Sequence, residues 1–190
     1  MQRLLMIGQL TDQQIQTLMG AVRQLPAVML SVYGPNSQRS AWPQATNWIT
    51  GELTDQPRLI ATMRKYDGVF VQLDSKWLVA QTQLMTSAGQ AAGINQLILK
   101  SDASVLTLTQ TDVHWYHQFT QRRQIRNLRL AERILQQSSL DFTWIQGQAA
   151  ADSAIYSRAL STTWATAVPA RRTLNFEDVL TVDLNAPAVA

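Results

Sequence analysis

The sequence contains no cysteine, which excludes a disulfide scaffold, thiolate metal sites and a cysteine nucleophile. Charged residues are also few, at 15% of the chain, against a usual share of about 25%. No apolar run approaches the ~20 residues that span a bilayer, and the apolar run near the N-terminus is too short for the core of a signal peptide. We therefore expect a cytoplasmic protein that has no membrane partner.

The residues that are present are typical of a globular core. Hydrophobic residues make up 46% of the 190 residues, and 22 scattered glutamines stand where charged residues are missing. The length predicts a single domain over residues 1–184. The last segment, 185–190, reads as a disordered or frayed tail.

The formal net charge is only +3, but one cluster of charge stands out. Five arginines fall at helical spacing on one predicted helix: Arg122, Arg123, Arg126, Arg129 and Arg133. No nucleic-acid-binding motif accompanies them, so nucleic acid is not expected as a partner. We interpret the cluster as a solvated helix face; a phosphate-bearing ligand or an acidic partner is the alternative.

Buried strands and amphipathic helices alternate along the chain. Strands are predicted at 3–7, 28–33, 47–50, 68–73, 94–99 and 140–145, and helices at 77–92 and about 112–137. Two further helices are predicted: one has an apolar stripe from Ile15 to Leu25 and is ended by Pro26, and the other has Pro57 in its first turn and Leu59, Ile60 and Met63 facing inward. Residues 36–44 read as a loop, and weaker signals predict a helix near 149–160, an extended stretch near 162–168 and a short helix from 176. Such alternation is typical of an α/β fold with a doubly wound parallel sheet in three layers.

In a sheet of this kind the ligand crevice lies at the carboxyl ends of the strands. The residues that follow the predicted strand ends are therefore the candidate binding residues. They are Gly8, Gln9, Leu10, Thr11, Tyr33, Glu52, Leu53, Leu73 and Ser101. We expect a small molecule or a dinucleotide there.

Four segments in register carry a resemblance to a known family. The first segment reads G-E-L-T-D at 51–55 and D-G-V-F at 67–70, and the second reads A-A-G-I-N-Q-L-I at 91–98. The third, 131–145, begins A-E-R-I-L and ends S-S-L-D-F-T-W-I, and the fourth reads F-E-D-V at 176–179. In this order they resemble the NmrA-like, atypical short-chain dehydrogenase/reductase family. The resemblance implies a Rossmann-like fold that binds NAD or NADP. The family includes reductases, epimerases and cofactor-sensing regulators without turnover.

The chain departs from that family at the dinucleotide loop, G-x-x-G-x-x-G, where Gly8, Thr11 and Gln14 stand at the glycine positions. The missing glycines would let the backbone approach the pyrophosphate and the helix pack closely. Thr11 and Gln14 instead fit a capping box that satisfies the helix's own amides. Asp12 adds a negative charge that favours the helix and repels a phosphate. We predict weakened or lost dinucleotide binding; the alternative is a shifted loop that still accepts the cofactor.

The sequence supports neither a preference for NADP nor the acid–base pair of the superfamily's reductases. NADP usually needs an arginine after the second strand, where Tyr33 stands; Arg39 lies in the following loop. In reductases of the superfamily a Tyr-x-x-x-Lys pair transfers the proton, and register on the resemblance places those roles at Gln124 and Leu128. Neither residue can do acid–base work, so no catalytic residue is assigned.

Both histidines lie close together, His114 and His117, with Asp112 before them. They could bind a metal from one helix face, but no further strong ligand is identifiable, so no metal site is expected. Among the six tryptophans, Trp77 and Trp115 follow strand ends and could line a pocket or fill a dimer contact.

Three functions follow from these observations. The leading hypothesis is a non-catalytic or weakly active protein that binds a nucleotide or small ligand, with a regulatory role. The second is an NAD(P)-dependent oxidoreductase or isomerase whose acid–base group is His114, Tyr116 or Ser101. The third is a dimeric scaffold that binds no nucleotide, since long helices of this family often pair subunits.

Overall fold

The computed structural model describes residues 2–23, 28–94, 96–102, 118–147 and 172–175. In these residues the strands are β1 (Gln2–Ile7), β2 (Val28–Gly34), β3 (Asn47–Thr50), β4 (Gly68–Leu73), β5 (Gln96–Ser101), β6 (Phe142–Gln146) and β7 (Arg172–Asn175). The helices are α1 (Asp12–Arg23), α2 (Gln56–Met63), α3 (Leu78–Ala92) and α4 (Gln118–Gln137), with a 3-10 helix at Asn36–Ala41.

The described strands form one parallel sheet in the order β3-β2-β1-β4-β5-β6-β7. The order reverses direction between β1 and β4, as in a doubly wound sheet. The prediction of a Rossmann-like α/β fold is therefore confirmed.

Helices cover both faces of the sheet, because successive side chains of a strand point to opposite faces. On one face Leu4 and Met6 of β1 pack with apolar residues of α1. On the other face Leu5 and Ile7 pack with apolar residues of α2, α3 and α4. Burial on both faces explains why the central strands consist mostly of apolar residues.

Local signals set the ends of two helices next to the sheet. At the start of α2, the Asp55 carboxylate accepts a hydrogen bond from the backbone amide of Arg58 (3.2 Å), and Pro57 lies in the first turn. At the end of α3, Gly93 adopts the left-handed conformation, with φ of 68°.

The structure also differs from the prediction in places. The predicted loop at 36–44 contains the 3-10 helix, and β5 begins at Gln96 because the amide of Ile94 still bonds to the carbonyl of Gly89 (3.2 Å). Strand β7 was not predicted. The signals at 112–117, 149–160 and 162–168, the helix from Phe176 and the tail at 185–190 lie outside the described residues. Among the described helices, none combines the length and apolarity needed to cross a bilayer.

Candidate functional site

The sheet places a cavity of about 720 Å³ at the carboxyl ends of β1, β2 and β4, where the strand order reverses. In open α/β sheets this reversal is where ligands bind, because the neighbouring crossovers leave the sheet in opposite directions. The cavity therefore marks the candidate ligand site.

The structure brings together eight of the nine residues predicted to bind a ligand. The cavity is lined by Gly8, Gln9, Leu10, Thr11, Tyr33, Glu52, Leu53 and Leu73. Ser101 is not in the lining: it is fully buried, and the indole Nε1 of Trp144 donates to its hydroxyl (3.2 Å). What these residues bind stays a prediction.

Several lining residues were not predicted as ligand-binding residues. Gln72 precedes the predicted Leu73, and Asp102 follows the predicted Ser101. The start of α3 contributes a further group, which comprises Asp74, Ser75, Trp77 and Gln81. Only Trp77 carried a signal in the sequence, as an aromatic residue after a strand end.

The turn between β1 and α1 requires a glycine for reasons of fold. Gly8 has a φ of +112°, which side chains rarely tolerate, and a Cβ atom there would collide with the carbonyl oxygen of Gln72 on β4. The shape of this turn therefore needs Gly8 whether or not a phosphate binds beside it.

The predicted capping box at the start of α1 is present. The amide of Thr11 donates to Oε1 of Gln14 (2.9 Å), and the amide of Gln14 donates to Oγ1 of Thr11 (3.3 Å). The first helical bond runs from the Ile15 amide to the Thr11 carbonyl (2.9 Å), so Thr11 is the N-cap residue. Side chains thus satisfy two of the four amides that a helix start leaves without a partner.

The cavity lining is acidic. Its charged residues are Glu52, Asp74 and Asp102, and the described lining includes neither lysine nor arginine. Arg39 is exposed on the 3-10 helix and is not a lining residue. Because the buried Lys100 offsets the charge of Asp102, Glu52 and Asp74 give the described lining its net negative charge.

Tyr33 forms the wall of the cavity on the side of β2. Its side chain is buried, its hydroxyl donates to the carbonyl of Glu52 (3.1 Å), and a Cβ atom at Gly51 would collide with its ring. Burial raises the pKa of Tyr33 above 10.0, and the carboxylates of Asp55 and Glu52 raise it further, against a lowering by Arg58. Tyr33 is therefore a neutral, structural phenol.

The α3 side of the cavity offers a flat aromatic surface. Trp77 is 57% exposed, and the ammonium of Lys76 lies 5.6 Å from its ring centroid. The amide of Asp74 donates to Oε1 of Gln81 (2.8 Å), and the amide of Lys76 donates to the Asp74 carboxylate (2.8 Å). Here too, side chains take backbone amides near the start of a helix.

Three polar side chains, from β4 and from the end of β5, meet at the edge of the cavity. The buried ammonium of Lys100 donates to Oδ1 of Asp102 (2.7 Å) and to the carbonyl of Gly147 (3.4 Å). Nε2 of Gln72 donates to the same Oδ1 (3.3 Å). This network fixes the Asp102 carboxylate at the edge of the cavity.

The positions aligned with the Tyr-x-x-x-Lys pair hold no acid–base residue. Gln124 is half-buried on α4, and Leu128 is part of the hydrophobic core. In the described part of the chain, no group of three potential metal ligands occurs. His114, Tyr116, Asp112, His117 and Trp115 lie outside the described residues.

Comparison with known proteins gives a consistent classification. The model of a family described as NAD(P)H-binding matches residues 16–168, most of the chain. This match fits the resemblance to NmrA-like proteins. No curated protein matches the chain.

Solved structures share the fold at low sequence identity. A wide-type short-chain dehydrogenase/reductase from Veillonella parvula, crystallised with NADP, is 13% identical, with a TM-score of 0.63 over 92% of this chain and 93% of that one. An oxidoreductase from Lactococcus lactis is 11% identical, with a TM-score of 0.63 over 94% and 95% of the two chains. An NADPH-dependent quinone oxidoreductase from Escherichia coli is 12% identical, with a TM-score of 0.60 over 90% and 66%.

Proposed function

Because the chain belongs to the NAD(P)H-binding family, we propose that it binds a nicotinamide dinucleotide weakly in the cavity at the strand reversal and acts without turnover. Its function is then to bind the ligand rather than to convert it, as in a regulatory protein that responds to the concentration of its ligand. A homodimer in the cytoplasm is the setting that the sequence predicts for it.

The observation that carries this proposal is the pair of hydrogen bonds between Thr11 and Gln14. In dinucleotide-binding folds the pyrophosphate sits at this helix start, where free amides and the helix dipole attract it. Here the two side chains occupy two of those amides, and Asp12 places a carboxylate in the first turn. Each feature lowers the affinity for a diphosphate and leaves the cavity itself in place.

The residues at the positions that the family resemblance assigns to acid–base chemistry support binding without turnover. Gln124 and Leu128 cannot exchange a proton with a substrate, and the Ser101 hydroxyl is buried against Trp144. A reductase needs such a group within hydrogen-bond reach of the reacting carbonyl. The alternative of an oxidoreductase or isomerase therefore depends on His114 or Tyr116.

Calorimetric titration of the full chain with NAD⁺, NADH, NADP⁺ and NADPH tests the proposal. We expect dissociation constants of about 0.1–1 mM for NAD⁺ and NADH, equivalent to roughly −5.5 to −4 kcal/mol. We expect no preference for the NADP forms, since no cation is in the described lining. Binding tighter than about 1 μM would contradict the weakened site.

Two further outcomes separate the alternatives. Absence of binding by all four dinucleotides, with a stable dimer in solution, would favour a scaffold. Hydride transfer from a bound reduced cofactor that is lost in H114A or Y116F would favour the enzyme. Either result would replace the proposed function.

A further inference from the structure

The strongest unassigned feature of the molecule is the polar network formed by Gln72, Lys100 and Asp102. Lys100 is buried, with 1% of its side chain exposed, whereas 46% of the Asp102 side chain is exposed and lines the cavity. An ion pair between a buried cation and an exposed anion holds the anion in one orientation, because the cation cannot follow it into solvent.

Both protein donors converge on one oxygen of the carboxylate. Lys100 Nζ (2.7 Å) and Gln72 Nε2 (3.3 Å) donate to Oδ1, and among the described residues no hydrogen bond reaches Oδ2. A carboxylate has capacity for further donors when only one of its oxygens is used. Within the described part of the chain, Asp102 thus presents a fixed acceptor, Oδ2, with capacity for a donor at the edge of the cavity.

A second acceptor lies beside it. Oε1 of Gln72 is buried and has no partner within the described residues, although Gln72 is only 6% exposed and lines the cavity. Leaving a buried acceptor without a donor costs free energy that a bound donor would recover. Because Oε1 of Gln72 is itself inaccessible to solvent, the exposed Asp102 carboxylate is the acceptor that a ligand can reach at this point.

The charge of the network indicates which kind of ligand group would bind to Asp102. Lys100 and Asp102 neutralise each other, so a cation gains no net attraction there, and a phosphate would meet acceptors rather than donors. An uncharged donor, a hydroxyl or an amide N–H, satisfies the open Oδ2 best.

We propose that Asp102 is a ligand-binding residue that accepts a hydrogen bond from a neutral donor group of the ligand, and that Lys100 is the positioning residue that fixes its carboxylate. This inference rests on the proposed function, because it assumes that the ligand occupies this cavity. A nicotinamide dinucleotide carries both kinds of neutral donor, the ribose hydroxyls and the carboxamide.

The test measures binding of NAD⁺ by calorimetry for the wild type and for D102N. Asparagine preserves an oxygen for Lys100 but replaces the free oxygen with a donor, so the dissociation constant should rise about 10-fold to 100-fold. Asp67→Asn is the matched control, since this half-exposed carboxylate also pairs with a cation, Arg3, but lies outside the cavity lining; it should leave the affinity unchanged.

Folding is controlled separately, because D102N and D102A both leave the buried ammonium of Lys100 without a counter-charge and destabilise the chain. The double variant K100M/D102A removes both charges, should fold, and should show the same loss of affinity. K100M alone should weaken binding while leaving the unfolding temperature nearly unchanged, and the cycle of K100M and D102N should show coupling in NAD⁺ affinity. A purely structural Lys100 would show no such coupling.

The two donor sources are distinguished with the 3-acetylpyridine analogue of NAD⁺, which lacks the amide N–H. A D102N effect that persists with the analogue assigns a hydroxyl, and one that disappears assigns the carboxamide. Wild-type binding with an unchanged affinity in D102N overturns the inference and leaves the proposed function intact. Absence of wild-type binding overturns both.

Discussion

Thr11 and Gln14 exchange two hydrogen bonds across the first turn of α1, each backbone amide donating to the other residue's side chain. The pair occupies the positions at which the family's loop has glycines. The same two substitutions that remove the glycines therefore also remove free amides from the phosphate position. We expect the loss of glycine and the gain of capping both to lower dinucleotide affinity.

Replacing both residues, T11G/Q14G, should raise dinucleotide affinity and lower stability. Two amides become free for a phosphate, while the helix loses its cap and gains a glycine in its first turn, at a cost of about 1–2 kcal/mol. For a chain of this size that corresponds to a fall in Tm of roughly 2–8 °C. Calorimetry with NADH and thermal unfolding measure the two effects.

The matched control for that variant is Q13G. It places a glycine in the same turn without touching the two capping bonds, so stability should fall slightly and affinity should stay at the wild-type value. Unchanged NADH affinity in T11G/Q14G would show that the cap does not oppose the diphosphate.

Asp12 should oppose a phosphate independently of the cap. It is exposed in the first turn of α1, where a carboxylate stabilises the helix by about 0.3–1 kcal/mol through the dipole. D12N should thus be slightly less stable, and it should bind NADH a few-fold more tightly at low salt, with the gain shrinking as salt screens the charge. D12E, which keeps the charge, should match the wild type; equal salt dependence in D12N and D12E would refute this role.

The strands that were predicted from sequence are those whose signal is local. Strand β1 carries an apolar run at 4–7 and β4 one at 69–71, because both faces of these strands are buried, and β4 ends at Leu73, as predicted. Strand β7, Arg172–Asn175, has one strongly apolar residue, and its backbone pairs with β6 in the sheet. A strand of four residues is too short to show a periodic pattern, and the sequence does not reveal a pairing partner that lies far away along the chain.

The cavity was predicted in position but not in full. Leu73 and Ser101 were chosen as strand ends, whereas Gln72 and Asp102, one residue away, carry the polar network. Adjacent residues of a strand face opposite sides of the sheet, and the side that meets the β1 turn depends on strand order. The capping box was predictable because its two partners lie three residues apart.

Gly8 should be far less replaceable than Gly93, although both have a positive φ. At Gly8 a Cβ atom would collide with the carbonyl of Gln72, whereas at Gly93 no atom lies within 4 Å. G93A should cost about 1 kcal/mol, and G8A several times more because the β1 turn must separate from β4. Urea unfolding of both variants checks this; similar losses would mean that the turn yields easily.

Tyr33→Phe should change how stability depends on pH. At pH 7 the variant loses the hydrogen bond to Glu52, about 0.5–1.5 kcal/mol. The pKa of Tyr33 is raised in the folded state, chiefly by burial, so above about pH 10 the unfolded chain releases this proton first and the wild type loses stability as pH rises. Phenylalanine has no such proton, so the difference in unfolding free energy between wild type and Y33F should narrow from pH 9 to 11, as measured by urea unfolding.

Asp55→Asn is a second check on the same pKa. Asparagine keeps the α2 cap but removes a charge that raises the pKa of Tyr33, so this variant should lose less stability at high pH than the wild type. A difference between wild type and Y33F that stays constant with pH would mean that Tyr33 titrates alike in the folded and unfolded chain.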